Sequence, residues 1–321
     1  MVITTDGDYN SGMIRKIKNN IRFMLSFFLW SAGVIWWSQA FSASYVVEKD
    51  SDIVGEVRYH KVGDEDSLYS LAEKYNLGIL ELMAANPGVD PWVPPKNSVV
   101  KIPSIYILPR DMRKGIVINL SELRLFYFKD KNTVITFPVG IGREGWQTPV
   151  GKTKIALKRK NPVWIPTKSI LEENPNLPKI VPAGPDNPLG KYALNLGWPS
   201  FAIHGTNKPY GIGQRSSHGC IRMYPSDIEE LFKAVKTGTK VTITDDSYKL
   251  GWRDGVLYLE STPTQEQLDA IADRKTPETI IPSEIYTQIE EMVGDDENID
   301  WNLVDNAIIM RSGSPVAIGR Q

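Results

Sequence analysis

The chain carries a single cysteine, Cys220, and three histidines, His60, His204 and His218. His204 and His218 both lie within 16 positions of the thiol, in the stretch FAIHGTNKPYGIGQRSSHGCIRMYPSDIEELF. Three chemistries could use these atoms. A cysteine nucleophile needs an imidazole close enough to take the thiol proton. A zinc site could draw on two histidines and the cysteine. A buried cysteine can also do no chemistry and pack as a small hydrophobe. The flanks argue against the last reading, because Ser216-Ser217-His218-Gly219 and Arg222 are too polar for a core strand. Zinc lacks a third or fourth ligand type nearby. The nucleophile reading is therefore preferred. Gly219 lets the backbone approach a ligand closely. The amides beside it can form an oxyanion hole, and Arg222 adds a positive field that favours thiolate. His218 stands two residues before Cys220, so an extended segment would put both side chains on one face.

Positioning these groups falls to a β-rich middle. Short β-type runs recur at Ile116–Leu120, Leu123–Phe128, Thr133–Gly142, Gly151–Lys158, Tyr192–Gly197, Phe201–His204 and Lys240–Thr244, with turn signals between them. Strands at this spacing predict a β-sandwich or partial barrel. His204 ends one of them. Between Asn161 and Pro188 stand seven prolines, so this stretch is expected to hold no regular element and to act as a lid. A helix is expected over Ser226–Val235, opened by a Ser226–Glu229 capping box and striped by Ile228, Leu231, Phe232 and Val235.

Length and composition set the frame. A chain of 321 residues predicts two or three domains. With 37 basic and 38 acidic side chains the net charge is −1, which gives no footprint for nucleic acid. One cysteine excludes an internal disulfide framework. The charge is uneven: Ser261 to Asp300 holds eleven acids against Arg274 and Lys275, a net of −9 that leaves +8 for the rest. The N-terminus has the order of a secretory signal: Arg15, Lys16, Lys18 and Arg22, then an uncharged run from Phe23 to Val47 that ends in small and polar residues. Cleavage before Tyr45, with Ser42 and Ser44 at −3 and −1, fits, and Ala40 with Ser42 offers a second site. The alternative is an uncleaved inner-membrane anchor. Either way the body is expected to work in the periplasm, where an unpaired cysteine points to a reactive role. The expected division is a signal at 1–44, a small module at 57–103, a catalytic domain at 104–260 and an acidic, partly helical C-terminal subdomain at 261–321.

The small module reads β-α-α-β in under 50 residues: a strand at Val57–Val62, a helix at Leu68–Tyr75 capped by Ser67, a second helix at Ile79–Ala85 and a strand at Ser98–Ile102. Through Val62-Gly63-Asp64, Ser67-Leu68, Leu71-Ala72, Tyr75, Leu82, Asn86-Pro87 and Lys101-Ile102-Pro103 it resembles a LysM module, which implies binding to the glycan strands of peptidoglycan. His60, in its first strand, is expected to be a surface or packing residue.

The larger resemblance runs from about Ser104 to Glu260. Three stretches carry it: Ile141-Gly142-Arg143-Glu144-Gly145-Trp146-Gln147-Thr148-Pro149-Val150-Gly151; Gly184-Pro185-Asp186-Asn187-Pro188-Leu189-Gly190, continuing to Tyr192-Ala193-Leu194; and His204-Gly205-Thr206 with Ser217-His218-Gly219-Cys220-Ile221-Arg222. In these the chain resembles the L,D-transpeptidases with a YkuD-like catalytic domain. The resemblance implies that Cys220 attacks the carbonyl of the third residue, usually meso-diaminopimelate, of a peptidoglycan tetrapeptide stem. D-alanine leaves, and an amine resolves the thioester. The resemblance implies that this amine is another stem's, giving a 3–3 cross-link, or a lysine of an outer-membrane lipoprotein. A free D-amino acid or water are further acceptors, and carbapenems acylate the same thiol. By resemblance His204 is the general base and the carbonyl of Gly205 orients it. Ser217, His218, Gly219 and Arg222 shape the oxyanion and substrate side, and Tyr192 the pocket wall. No metal or organic cofactor is implied. The rival readings are a wall-trimming cysteine peptidase or carboxypeptidase, and a non-catalytic peptidoglycan-binding protein.

Overall fold

The structure, a computed structural model, describes residues 43–110, 112–294 and 298–320. The expected secretory signal lies outside the described residues except for its last two positions. Among the described residues no helix is long and apolar enough to cross a membrane.

The chain enters through strands β1 (Ala43–Val46) and β2 (Ile53–Gly55). A β-α-α-β unit follows, made of β3 (Arg58–Lys61), α1 (Leu68–Lys74), α2 (Ile79–Ala85) and β4 (Val99–Ile102), with β3 and β4 antiparallel. Ser67 caps α1 by accepting from the Ser70 amide at 3.0 Å, while the Ser70 hydroxyl accepts from the Ser67 amide at 2.9 Å. His60 is a packing residue of this unit, 2.9 Å from the Tyr75 hydroxyl and 2.8 Å from Asp66. Strand β5 (Ile105–Ile107) returns to pair with β2.

The main sheet then accumulates from β6 (Gly115–Asn119), β7 (Arg124–Phe128), β8 (Thr133–Pro138), the short β9 (Ile141–Gly142) and the long β10 (Gly151–Lys160). A proline-rich excursion carrying α3 (Lys168–Glu173) leads to β11 (Tyr192–Leu196) and β12 (Ala202–His204). Then come β13 (Arg215–Ser217), β14 (Ile221–Arg222), α4 (Pro225–Ala234) and β15 (Lys240–Thr244). Nine strands join in the order β1-β8-β7-β6-β15-β10-β11-β12-β14, a single curled sheet that realises the expected partial barrel. In β6, β7 and β8 nearly every residue is buried, as in strands covered on both faces.

The tail forms its own small unit: β16 (Tyr248–Arg253), β17 (Val256–Ser261), α5 (Gln265–Ala272), α6 (Glu284–Val293), α7 (Trp301–Met310) and β18 (Val316–Arg320). Strands β16, β17 and β18 make one antiparallel sheet, so a division at 260/261 runs through β17. Leu257, Leu259, Ile289 and Ile308 form its core. Beside it the buried Lys249 ammonium lies 2.6 Å from Glu122 and 3.0 Å from Glu260, which ties the tail to the end of β6.

The β-α-α-β unit shares its core with the main sheet. One apolar cluster runs from Leu68, Leu71 and Leu82 through Ile116, Phe126 and Phe137 to Ile228 and Leu231. Arg124 of β7, 1% exposed, reaches across to Glu81 of α2 at 2.6 Å. Gly213, at φ +71°, lies so close to the N-terminus of α2 that an added Cβ would stand 2.2 Å from the Cα of Gly78. Only two glycine backbones can meet in this way.

Two local expectations are corrected. Helix α4 starts at Pro225 rather than Ser226: Tyr224 is the N-cap and proline takes the first helical position, where its missing N–H costs nothing. Ser226 therefore lies inside the helix, and no Ser226–Glu229 capping box forms. The proline-rich stretch does contain a regular element, α3, because no proline falls between Thr167 and Asn174 and Thr167 caps the turn.

Candidate active site

Strands β12 and β14 lie parallel, with Ile203 opposite Ile221 and His204 opposite Arg222. Cys220 immediately precedes β14, so the thiol and the imidazole come from adjacent strands about one pleat apart. His204 is 4% exposed. Its Nδ1 lies 2.6 Å from the Gly205 carbonyl. A carbonyl only accepts, so Nδ1 carries the hydrogen and Nε2 keeps its lone pair. Burial pushes the His204 pKa down to about 4; the Gly205 carbonyl works against this, and Arg222 and Arg159 add to it. The ring is neutral at neutral pH, the state a proton acceptor needs.

Cys220 directs its thiol at the Ser200 carbonyl, 3.4 Å away. Burial raises its pKa, and it outweighs the Ala202 amide and Arg222, which pull the other way. The pull of Arg222 toward thiolate has the expected sign, but desolvation outweighs it, and thiol and imidazole are both neutral at rest.

The remaining predicted residues divide. Ser217, 1% exposed, donates to the Cys220 carbonyl at 2.5 Å and accepts from the Gly219 amide at 3.1 Å, fixing the turn that carries the nucleophile. Gly219 has φ +97°, and a Cβ there would press on the Phe201 ring at 3.0 Å. That positive φ breaks the extended run. His218 therefore does not share a strand face with Cys220, contrary to expectation, although both line the same cavity. The guanidinium of Arg222 donates to the Ser216 carbonyl at 3.2 Å and also lines the cavity. Tyr192 is not in the pocket wall. It is 9% exposed and packs its ring on Phe232 of α4, centroids 4.8 Å apart.

The cavity over the thiol measures about 620 Å³. Its floor is Cys220, His204 and Arg222, and its cover includes Trp164 and Ile170 from the excursion. Asn187, fully buried, pins that excursion at its base. Its amide group donates to the carbonyls of Pro162, Val181 and Pro182 at 2.8, 3.2 and 3.0 Å. In the sequence Asn187 and Thr148 stand only as parts of longer stretches, with no role assigned to either. The Thr148 hydroxyl accepts from the Gly142 amide at 3.0 Å and donates to the Gly219 carbonyl at 2.9 Å, bracing the nucleophile turn from β9. The place of Thr148 before Pro149 in a stretch flanked by Gly145 and Gly151 was the available signal. Among the described residues no three His, Cys, Asp or Glu side chains gather as a metal-ligand set.

A family model describing the L,D-transpeptidase catalytic domain matches residues 113–243. Among curated proteins, the chain is 38% identical over 291 residues to the probable L,D-transpeptidase YbiS of Escherichia coli, covering 88% of this chain and 94% of that one. It is 38% identical over 317 residues to the probable L,D-transpeptidase YcfS of the same organism, covering 95% and 97%. The putative L,D-transpeptidase YkuD of Bacillus subtilis is 29% identical over 186 residues, 57% of this chain and 97% of that one.

Proposed function

The chain belongs to the L,D-transpeptidase family, and from that premise we propose which groups carry the acyl transfer and what they act on. The donor is a peptidoglycan tetrapeptide stem. Sγ of Cys220 attacks the carbonyl carbon of its third residue, meso-diaminopimelate, and the thiol proton passes to Nε2 of His204. The backbone amides around Gly219 and the charge of Arg222 face the oxyanion. Collapse breaks the peptide bond, and D-alanine leaves with the proton held by His204. An amine then attacks the thioester and loses a proton to His204, and the sulfur departs and is reprotonated. The product is a new amide, and the enzyme returns unchanged.

The observation that supports this reading most is the neutral imidazole, fixed through Nδ1 by the Gly205 carbonyl and buried one pleat from the only thiol. With both partners neutral at rest, the charged pair forms only while the substrate bond is being made. A thiol held this way resists oxidation between turnovers. Gly205, Ser217 and Gly219 act by positioning; His218 and Arg222 meet the substrate.

The acceptor is the side-chain amine of a second stem or a lysine of an outer-membrane lipoprotein. The β-α-α-β unit, by its resemblance to LysM, holds the glycan strand. The N-terminal signal places the enzyme in the periplasm. The test is incubation of the mature enzyme with a disaccharide-tetrapeptide, followed by mass spectrometry. D-alanine release with a cross-linked dimer is expected, both abolished by Cys220→Ala. Release with only the shortened monomer would replace transpeptidation by hydrolysis. Products persisting in the variant would remove Cys220 from the mechanism.

A further inference from the structure

Beside the nucleophile, His218 meets two charged side chains that the acyl transfer described above leaves idle. Arg143 follows β9, and its amide donates to the Ser217 carbonyl at 3.0 Å, so its side chain emerges next to His218. Nη2 of Arg143 and Nε2 of His218 stand 3.2 Å apart. Both nitrogens also face one anion. The anion is Glu173 of α3. One of its oxygens is 2.9 Å from Nε2 of His218, and the other is hydrogen-bonded to Arg143. Trp146 backs the arrangement: its ring meets His218 edge-on with centroids 4.7 Å apart, and the Arg143 guanidinium lies 5.9 Å from its centre.

The three partners are held very differently. Arg143 and His218 are built onto paired strands, β9 and β13. Glu173 is delivered by a six-residue helix with no buried residue, on the excursion that covers the cavity. Its side chain is 43% exposed. A fixed guanidinium and a fixed imidazole therefore hold a loosely tethered carboxylate at the rim of the reaction site.

We propose that Arg143 and His218 form a carboxylate-binding subsite for the donor stem, which Glu173 fills while no substrate is bound. The inference rests on the donor proposed above. That donor carries two carboxylates near the reacting carbonyl: the side-chain carboxylate of diaminopimelate and the terminal carboxylate of D-alanine. Either presents the same pair of oxygens as Glu173. When the stem enters, its carboxylate exchanges with that of Glu173, and α3 is released from the rim.

The experiment measures D-alanine or D-alanine amide release by the full mature enzyme from three donors: the unmodified disaccharide-tetrapeptide, the same donor amidated on the diaminopimelate side chain, and the same donor ending in D-alanine amide. In the wild type, one of the two amidations should raise KM about tenfold, the order expected for a charge-assisted hydrogen-bond pair, and that donor identifies the carboxylate. Arg143→Gln should raise KM for the unmodified donor about as much and abolish the discrimination. Glu173→Gln removes the internal competitor, so KM for the unmodified donor should fall about two- to fivefold with discrimination kept. Equal KM for all three donors in the wild type would overturn the subsite. So would a rise in KM in Glu173→Gln matching that in Arg143→Gln, since Glu173 would then serve only to hold the cover shut. Failure to release anything from any donor would instead bring down the functional reading itself.

Discussion

The two walls of the active site are built on opposite principles. The floor is sheet: Cys220, His204 and Arg222 sit on or beside β12 and β14, braced by Ser217 and Thr148, with α4 packed behind. The cover is an excursion of about thirty residues whose only helix buries nothing and whose base hangs on the side chain of Asn187. Bond-making groups need sub-ångström placement, and paired strands supply it. A cover that must admit a branched peptide and then a second amine has to yield, and few buried contacts let it. Floor substitutions should therefore act on rate, and cover substitutions on binding.

The largest effect expected is that of Cys220→Ala, which should abolish turnover, at least about 10⁴-fold, and leave no carbapenem adduct by intact-mass spectrometry. An adduct in that variant would move the nucleophile off the floor. His204→Gln should slow carbapenem acylation by about 10²–10⁴-fold while KM for the donor changes little. The pH dependence has a definite sign. Because the His204 pKa is depressed to about 4, kcat/KM in the wild type should hold level as pH falls through 6.5, where an unperturbed histidine would protonate, and drop only near 4. A break near 6.5 would show that the base is some other group. The same shift costs stability in acid. The unfolded chain takes up a proton at about 6.5 that the native site refuses down to about 4, so stability is lost across that window as pH falls.

Thr148→Val should reduce kcat about tenfold by releasing the turn at Gly219, with thermal stability lowered by about 1–2 kcal/mol. A rise in KM alone would place Thr148 with the cover. Asn187→Ala should have the smallest effect on chemistry. KM should rise several-fold, acylation by a small carbapenem should persist, and limited proteolysis should cut within 161–188 faster than in the wild type. Equal loss of kcat would mean that floor and cover are one rigid body.

The contrast also marks where the sequence was legible. Apolar and β-branched runs bounded by turn signals are legible, so Lys240–Thr244 is found where its residues placed it and the other expected runs within a few positions, whereas the two-residue β14 was not foreseen. His204 and Cys220 stood out because their types are scarce. Groups whose placement depends on partners distant in sequence were hidden. Nothing local shows that Glu173 reaches Arg143 across thirty residues, or that Arg124 on a core strand is neutralised by Glu81 of the small unit. The thiol's ionisation was legible only in part for the same reason: Arg222 is visible in sequence, but the desolvation that outweighs it is a property of the packed cavity. Tyr192 was assigned to the pocket by resemblance, and its burial against Phe232 is a fact of the sheet's other neighbours. The small unit read as a separate bead, yet its helices complete the main core.

One feature of the sheet order bears on how the molecule comes into being. Strand β15 is the last of the nine in sequence, yet it lies between β6 and β10, parallel to one and antiparallel to the other. Before residue 244 exists, β1, β8, β7 and β6 can assemble on one side and β10, β11, β12 and β14 on the other, joined by no more than the short β9–β13 ladder and the Gly140–Arg222 bridge. The keystone arrives after the nucleophile has been made. Closing it spans more than a hundred residues, from Val241 back to Ile116, the kind of long-range pairing that makes folding slow. A chain stopped short of β15 would carry every reacting group and still lack the central strand between the two halves of the sheet.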